Sequence, residues 1–115
     1  VLASYIPGKN YIYNAGRLRL KESDRIEAME SELKKWGVDI KSDEDSITIY
    51  GKEHYQSDTP ITIESHNDHR IVMAMTIFAL LASTPSTITG AQAINKSYPT
   101  FFDDIQKIGG NLTFE

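Results

Sequence analysis

The chain contains no cysteine, which removes disulfides and thiolate metal centres from consideration. That absence is compatible with a reducing compartment. No apolar run is long enough to cross a membrane. The longest, Ile71 to Ala82, is interrupted by Thr76 and falls short of the ~20 residues that a spanning helix needs. It reads instead as a buried core helix. No secretory leader is visible, and neither usual type of glycine-rich phosphate loop occurs. Metal-ligand spacing is also missing. His66 and His69 are three apart and His54 lies further off, with no carboxylate clearly placed to complete a set. Basic charge is in deficit: 12 Lys and Arg against 16 Asp and Glu leave a net charge of −4. This argues against a general nucleic-acid binder.

What is present is the composition of one ordinary globular domain, with 115 residues, 40% hydrophobic and 24% charged. The opening Val1-Leu2-Ala3-Ser4-Tyr5 has no helix cap and reads as the closing turns of a helix that starts upstream. The chain is therefore expected to be part of something larger. A strand over Lys9 to Asn14 leads into a basic loop, Ala15 to Glu22. An amphipathic helix from about Ser23 to Trp36 follows, with Ile26, Met29, Leu33 and Trp36 at helical spacing. Acids fill its first turns, Lys34 and Lys35 its last, and Gly37 ends it. Val38 to Ile40 and Ser46 to Tyr50 form a hairpin turned by Ser42 to Asp45.

Beyond a polar loop, Gly51 to Pro60, the pattern repeats in kind. A strand over Ile61 to Glu64 precedes a helix capped by Asn67 or Asp68, which runs to about Ser83. That helix is apolar on almost every side and is expected to be covered all round. Ser86 to Thr89 is a strand. Pro99 suits the first turn of a third helix, Gly109-Gly110 ends it, and Asn111 to Phe114 reads as a final strand. The expected architecture is α+β: consecutive βα-type units, about 1–52 and 53–115, layered with a mixed sheet.

Charge placement is more informative than its sum. Six of the 12 basic residues (Arg17, Arg19, Lys21, Arg25, Arg70 and Lys96) fall at expected loops or helix starts. The acidic surplus lies in 27–32 and 39–45. A locally basic site on an acidic chain suits a small anion better than a polyanion. In Arg17-Leu18-Arg19-Leu20-Lys21-Glu22-Ser23-Asp24-Arg25, cations cluster where free N–H groups and the helix dipole already favour negative charge. Arg25 is able to grip a carboxylate or phosphate at two points, and Glu22 to exchange protons with a substrate. The plainer alternative is a solvated basic loop before a helix cap. In Asn67-Asp68-His69-Arg70, Asp68 is a natural cap. Arg70 is a charge on an otherwise apolar helix and needs a partner, either an acid such as Asp68 or an anionic ligand. Lys96, in Asn95-Lys96-Ser97-Tyr98-Pro99, is a lysine at a third helix entrance; alone it would be read as solvated.

Three of these stretches carry a resemblance. Leu20-Lys21-Glu22-Ser23-Asp24-Arg25-Ile26 is similar to the signature of the 5-enolpyruvylshikimate-3-phosphate (EPSP) synthase family. Asn67-Asp68-His69-Arg70 with Met73-Ala74 resembles a second motif of that family, and Lys96-Ser97-Tyr98-Pro99-Thr100-Phe101-Phe102 a third. Order and spacing agree over essentially the whole chain.

The resemblance implies the C-terminal quarter or so of a two-domain enzyme with an inside-out fold, in which helices lie within a ring of sheets. It implies cytoplasmic transfer of the enolpyruvyl group of phosphoenolpyruvate to the 5-hydroxyl of shikimate 3-phosphate, with no metal or organic cofactor. Carried over by motif, Glu22 is the acid/base at the methylene carbon of phosphoenolpyruvate. Arg25 and Arg70 are its anion clamps, Lys96 neutralises the phosphate, and Lys21 meets the shikimate side. Arg17 stands where some members have Asn, so its contact is secondary, and Asp68 and His69 are supporting. The family's catalytic aspartate would precede Val1, and the N-terminal part of the enzyme is a required partner. The expectation is that the 115 residues alone show no turnover. Two other readings remain at this level: a related enolpyruvyl transferase acting on a UDP-sugar, and a non-catalytic anion-binding module.

Overall fold

In a computed structural model, residues 1–114 are described. The chain opens with a 3-10 turn, Leu2–Tyr5, and enters β1, Gly8–Ile12. A second 3-10 helix, Gly16–Leu20, occupies the basic segment expected to be a loop. Helix α1 spans Arg25–Lys34 and starts two residues later than its pattern suggests. The shift follows from Asp24, which caps the helix by accepting from the Glu27 N–H at 3.0 Å. Strands β2, Asp39–Ser42, and β3, Ile47–Gly51, form the expected hairpin. Strand β3 pairs antiparallel with β1 on its other side, so the sheet order is β1-β3-β2. Alternation in β3 buries Ile47 and Ile49 beneath α1 and leaves Tyr50 outside. Gly51 is dictated by contact: a Cβ there would collide with the carbonyls of Ala3 and Ile6.

Strand β4, Ile61–Glu64, helix α2, His69–Leu81, and strand β5, Ser86–Thr89, make a βαβ unit whose two strands run parallel. A third 3-10 helix, Ala91–Lys96, precedes α3, Phe101–Lys107. One continuous core joins the two sheets. Ile26, Leu33 and Trp36 from the α1 side meet Ile49 of β3, Ile63 of β4, and Ile71, Met75 and Phe78 of α2. Tyr55, from the polar loop, is buried in the same core and donates to the Ser4 carbonyl at 2.7 Å.

Four expectations need correction. Asn111 to Phe114 forms no strand. Thr87 and Thr89 of β5 are exposed, and β5 pairs with β4 alone. Pro99 lies ahead of α3, which begins at Phe101. Lys96 is the last residue of a 3-10 helix, not the entrance to α3. Finally, α2 is not covered all round. Ile71, Val72, Met75 and Phe78 are buried, but Ile77, Leu80 and Leu81 form an exposed stripe. Among the described residues no helix is long and apolar enough to cross a membrane.

Candidate active site

The site is organised by a buried carboxylate. Asp68 is wholly buried at the start of α2 and caps it by accepting from the Arg70 N–H at 2.9 Å. Its other contacts come from the first motif, 43 and 45 residues away. Arg25 Nε donates to Asp68 Oδ2 at 2.9 Å, its Nη2 to Oδ1 at 3.3 Å, and the Ser23 hydroxyl to Oδ2 at 2.7 Å. Burial by itself would raise this carboxyl. The hydrogen bonds from Arg25, Ser23 and the Arg70 N–H outweigh it and bring the pKa down to about 2. The same pairing raises the Arg25 pKa above its already high value. Arg25 also reaches back to Glu22 at 2.5 Å. Glu22 is exposed, and its carboxyl is held below the usual range, first by its own backbone N–H and then by the Arg25 charge.

The third motif arrives one residue away. Lys96 Nζ donates to the Asn67 carbonyl at 2.5 Å. Arg25 and Lys96, remote in sequence, therefore touch consecutive residues, Asp68 and Asn67, and Arg70 projects from the same first turn. Arg70 is exposed and, among the described residues, its side chain has neither an ion pair nor a hydrogen bond. The alternative that Asp68 pairs with the Arg70 guanidinium is overturned, because Arg25 and Ser23 occupy the carboxylate. Beside them His69 is half-buried, and its Nδ1 is buried without a hydrogen-bond partner.

The remaining cations divide. Lys21 and Arg17 are exposed and, among the described residues, unpaired. Arg19 is structural. It binds Asp24 at 3.0 Å and the carbonyls of Asp43, at 2.5 Å, and Glu44, at 3.2 Å, tying the basic segment to the β2–β3 turn. A cleft of about 570 Å³ lies between the exposed stripe of α2, β5 and the tail, lined by Leu80, Ile88, Phe102 and Leu112 among others. None of the candidate residues lines it. The charged site is instead an open surface around 67–70.

Sequence reading missed a second network beside the first. Glu32 falls within the stretch that holds part of the acidic surplus, yet it is only 1% exposed. One of its oxygens accepts from Lys35 Nζ at 2.8 Å and the Glu64 N–H at 2.9 Å; the other meets His66 Nε2 at 2.8 Å. Burial pushes its carboxyl up, but these partners overcome that and hold it below the usual range. Glu32, Glu64 and His66 each place a ligand atom within 4.8 Å of the others. The Lys35 ammonium is already on Glu32, which makes that carboxylate the buried centre of an ion-pair and hydrogen-bond network. A signal existed: Glu32 lies seven residues from Arg25, and seven helical residues return to within about 20° of the same face.

With this geometry established, comparison with known proteins is direct. The model of the family described as EPSP synthase (3-phosphoshikimate 1-carboxyvinyltransferase) matches residues 1–105. The 3-phosphoshikimate 1-carboxyvinyltransferase of Clostridium acetobutylicum is 44% identical over 112 residues, 97% of this chain and 26% of that protein. That of Clostridium novyi is 46% identical over 110 residues, covering 96% and 25%. A solved EPSP synthase from Acinetobacter baumannii superposes with a TM-score of 0.81 at 38% identity, over 91% of this chain and 24% of that one. A second, from the same organism, gives 0.83 at 33% identity, over 98% and 26%. The chain thus spans about a quarter of the length of the relatives it matches. By sequence along nearly all its residues and by shared fold, it belongs to the EPSP synthase family.

Proposed function

We propose that this chain is a working part of an EPSP synthase, and that the surface around Asn67 to Arg70 holds phosphoenolpyruvate. The enzyme would transfer the enolpyruvyl group of phosphoenolpyruvate to the 5-hydroxyl of shikimate 3-phosphate and release phosphate. The observation that carries this reading is the meeting of Arg25 and Lys96 at consecutive residues, beside the unpaired Arg70. A small trianion needs cations fixed before it leaves water, and preorganised charge lowers the cost of charge developing in the transition state.

In the addition step a proton goes to the methylene carbon of phosphoenolpyruvate as the 5-hydroxyl oxygen bonds to its C2, the hydroxyl proton passing to a base in the rest of the enzyme. In the elimination step the tetrahedral intermediate loses phosphate and returns the methyl proton. Glu22 is the group assigned to that proton. Arg25 and Arg70 clamp carboxylate and phosphate, Lys96 neutralises the departing phosphate, and Lys21, with Arg17 as a secondary contact, faces shikimate 3-phosphate. Asp68 orients Arg25, and His69 hydrogen-bonds near the substrate. The Glu22–Arg25 pair supports a coupling: an anion that draws on Arg25 weakens its hold on Glu22, which raises the Glu22 pKa toward one useful for donating a proton.

On this reading residues 1–52 and 53–115 are two consecutive units of the C-terminal domain. The rest of the enzyme supplies the other shikimate 3-phosphate contacts and covers the apolar stripe of α2. Phosphorylated substrates, which do not cross membranes unaided, support a cytoplasmic location. The test is Arg70→Lys in the enzyme containing this chain. Lysine cannot make the planar two-point contact, so the kcat/KM for phosphoenolpyruvate should fall by about 100-fold, the loss of one preorganised charged donor. Unchanged kinetics would remove Arg70 from the clamp, and turnover by the 115 residues alone would remove the need for the remainder.

A further inference from the structure

We propose that Glu32 is a positioning residue of the anion site. From within the contact between α1 and the β4–α2 turn, it sets the segment that holds Lys96 and Arg25 in place. The proposal rests on the reading of that surface as the phosphoenolpyruvate site.

A buried carboxylate is a costly thing to keep unless its partners require it. Pairing with Lys35 alone would not require it, because an (i, i+3) pair forms equally well on an exposed helix face. The other partners of Glu32 explain its burial. They are the N–H of Glu64, the last residue of β4, and the ring of His66. Between them begins an unusual piece of backbone. His66 and Asn67 both have φ of 52°, a left-handed conformation that residues other than glycine seldom adopt, here twice in succession. Such a turn persists only where its surroundings hold it.

Two sets of contacts hold this one. On the sheet side, the Ser65 N–H donates to the Thr89 carbonyl at 3.2 Å, and the Ser65 hydroxyl accepts from the Asn67 N–H at 3.1 Å. Gly90 leaves room for that hydroxyl, since a Cβ there would collide with it. On the helix side, Glu32 holds Glu64 and His66. The turn in turn presents the Asn67 carbonyl to Lys96 and the Asp68 carboxylate to Arg25. Arg25 and Glu32 lie seven residues apart on one face of α1, so a single rigid helix grips the turn on both sides of the left-handed pair. A shift of the turn would move Lys96 and Arg25 together.

The experiment uses the enzyme containing this chain. Glu32→Ala should raise the KM for phosphoenolpyruvate by about tenfold, because small displacements of positioning groups have effects of this size or larger. The KM for shikimate 3-phosphate should stay within about twofold, since that substrate is held largely elsewhere. Glu32→Gln keeps an acceptor for the Glu64 N–H and can donate its NH2 to His66 Nε2 in the other ring tautomer, and should restore the KM. Should the alanine variant fail to fold, Glu32→Asp, one methylene short of the turn, should give a smaller rise of the same kind. A fall in kcat alone, with KM for phosphoenolpyruvate unchanged in the variants that fold, would mean mere loss of folded enzyme and would overturn the proposal. Amide exchange decides it without reference to activity. The Glu64 and Asn67 amides of the alanine or aspartate variant should exchange about tenfold faster, with Met75 and Phe78 unaltered. Unchanged exchange at the turn would also overturn it. If the wild-type enzyme transferred no enolpyruvyl group, the functional reading would fail, and exchange alone would judge Glu32.

Discussion

At its first turn, α2 is polar, and the carboxylate buried there is fully answered. Asp68 has four hydrogen bonds, from Arg25, Ser23 and the Arg70 N–H. Two to three turns later the same helix is apolar, with Ile77 and Leu80 each 40% exposed and Leu81 59% exposed. The difference reflects how each kind of group tolerates waiting. A buried charge without a partner costs several kcal/mol and must be met by residues folding alongside it. An exposed leucine costs only in proportion to its area, roughly 25 cal/mol per Å², and its cover can come from elsewhere. The buried charge at the N-terminal end of α2 is thus met within this chain, while its C-terminal end leaves apolar surface exposed.

Three measurements would break or sharpen that contrast. The largest effect belongs to Asp68→Ala, which strands the mostly buried Arg25 guanidinium and removes the cap of α2. Its cost should be about 3–4 kcal/mol in urea unfolding; a loss below about 1 kcal/mol, the level of an exposed ion pair, would mean that the first turn is not the anchor described. Acid should act through the same carboxyl. Its folded pKa, about 2, lies below the ordinary 3.8. The stabilisation is therefore fully present above about pH 4 and lost as pH falls toward 2, roughly 2 kcal/mol in all. The difference between wild type and Asp68→Asn should shrink across that window; a constant difference would deny the depressed carboxyl. The smallest effect is expected at the other end. Leu81→Ser should change the stability of the 115 residues by less than about 0.5 kcal/mol. In the longer enzyme it should cost about 2 kcal/mol if the stripe is covered there. Equal small effects in both would leave the stripe bare.

Elements with strong local signals were legible in the chain. α1 and α2 follow from apolar spacing and aspartate caps, and the β2–β3 hairpin from alternation around a polar turn. The final strand expected over Asn111 to Phe114 fails for a physical reason. A strand is completed by a neighbouring strand, and among the described residues none pairs with those four; the Leu112 carbonyl accepts only from the Gln106 side chain. The 3-10 helices Gly16–Leu20 and Ala91–Lys96 were hidden because turns of five or six residues carry too little periodicity to register. The exposure of Arg70 was equally hidden: an apolar helix with one cation suggests a buried charge, but position 70 lies on the exposed side of a first turn whose Ile71 and Val72 go inside.

Within the site, the sequence by itself determined the chemistry: cations beside Glu22, a cap at Asp68, and motifs that mark the family. Only the tertiary structure decided the pairings, giving Asp68 to Arg25 rather than to the Arg70 guanidinium, Lys96 to the Asn67 carbonyl, and Glu32 to the interior. Residue type and spacing govern what a side chain is able to do and which way a helix face points. Which distant group it meets depends on how α1 packs against the β4–α2 turn, and that contact is made between segments some 40 residues apart, beyond the reach of any local pattern.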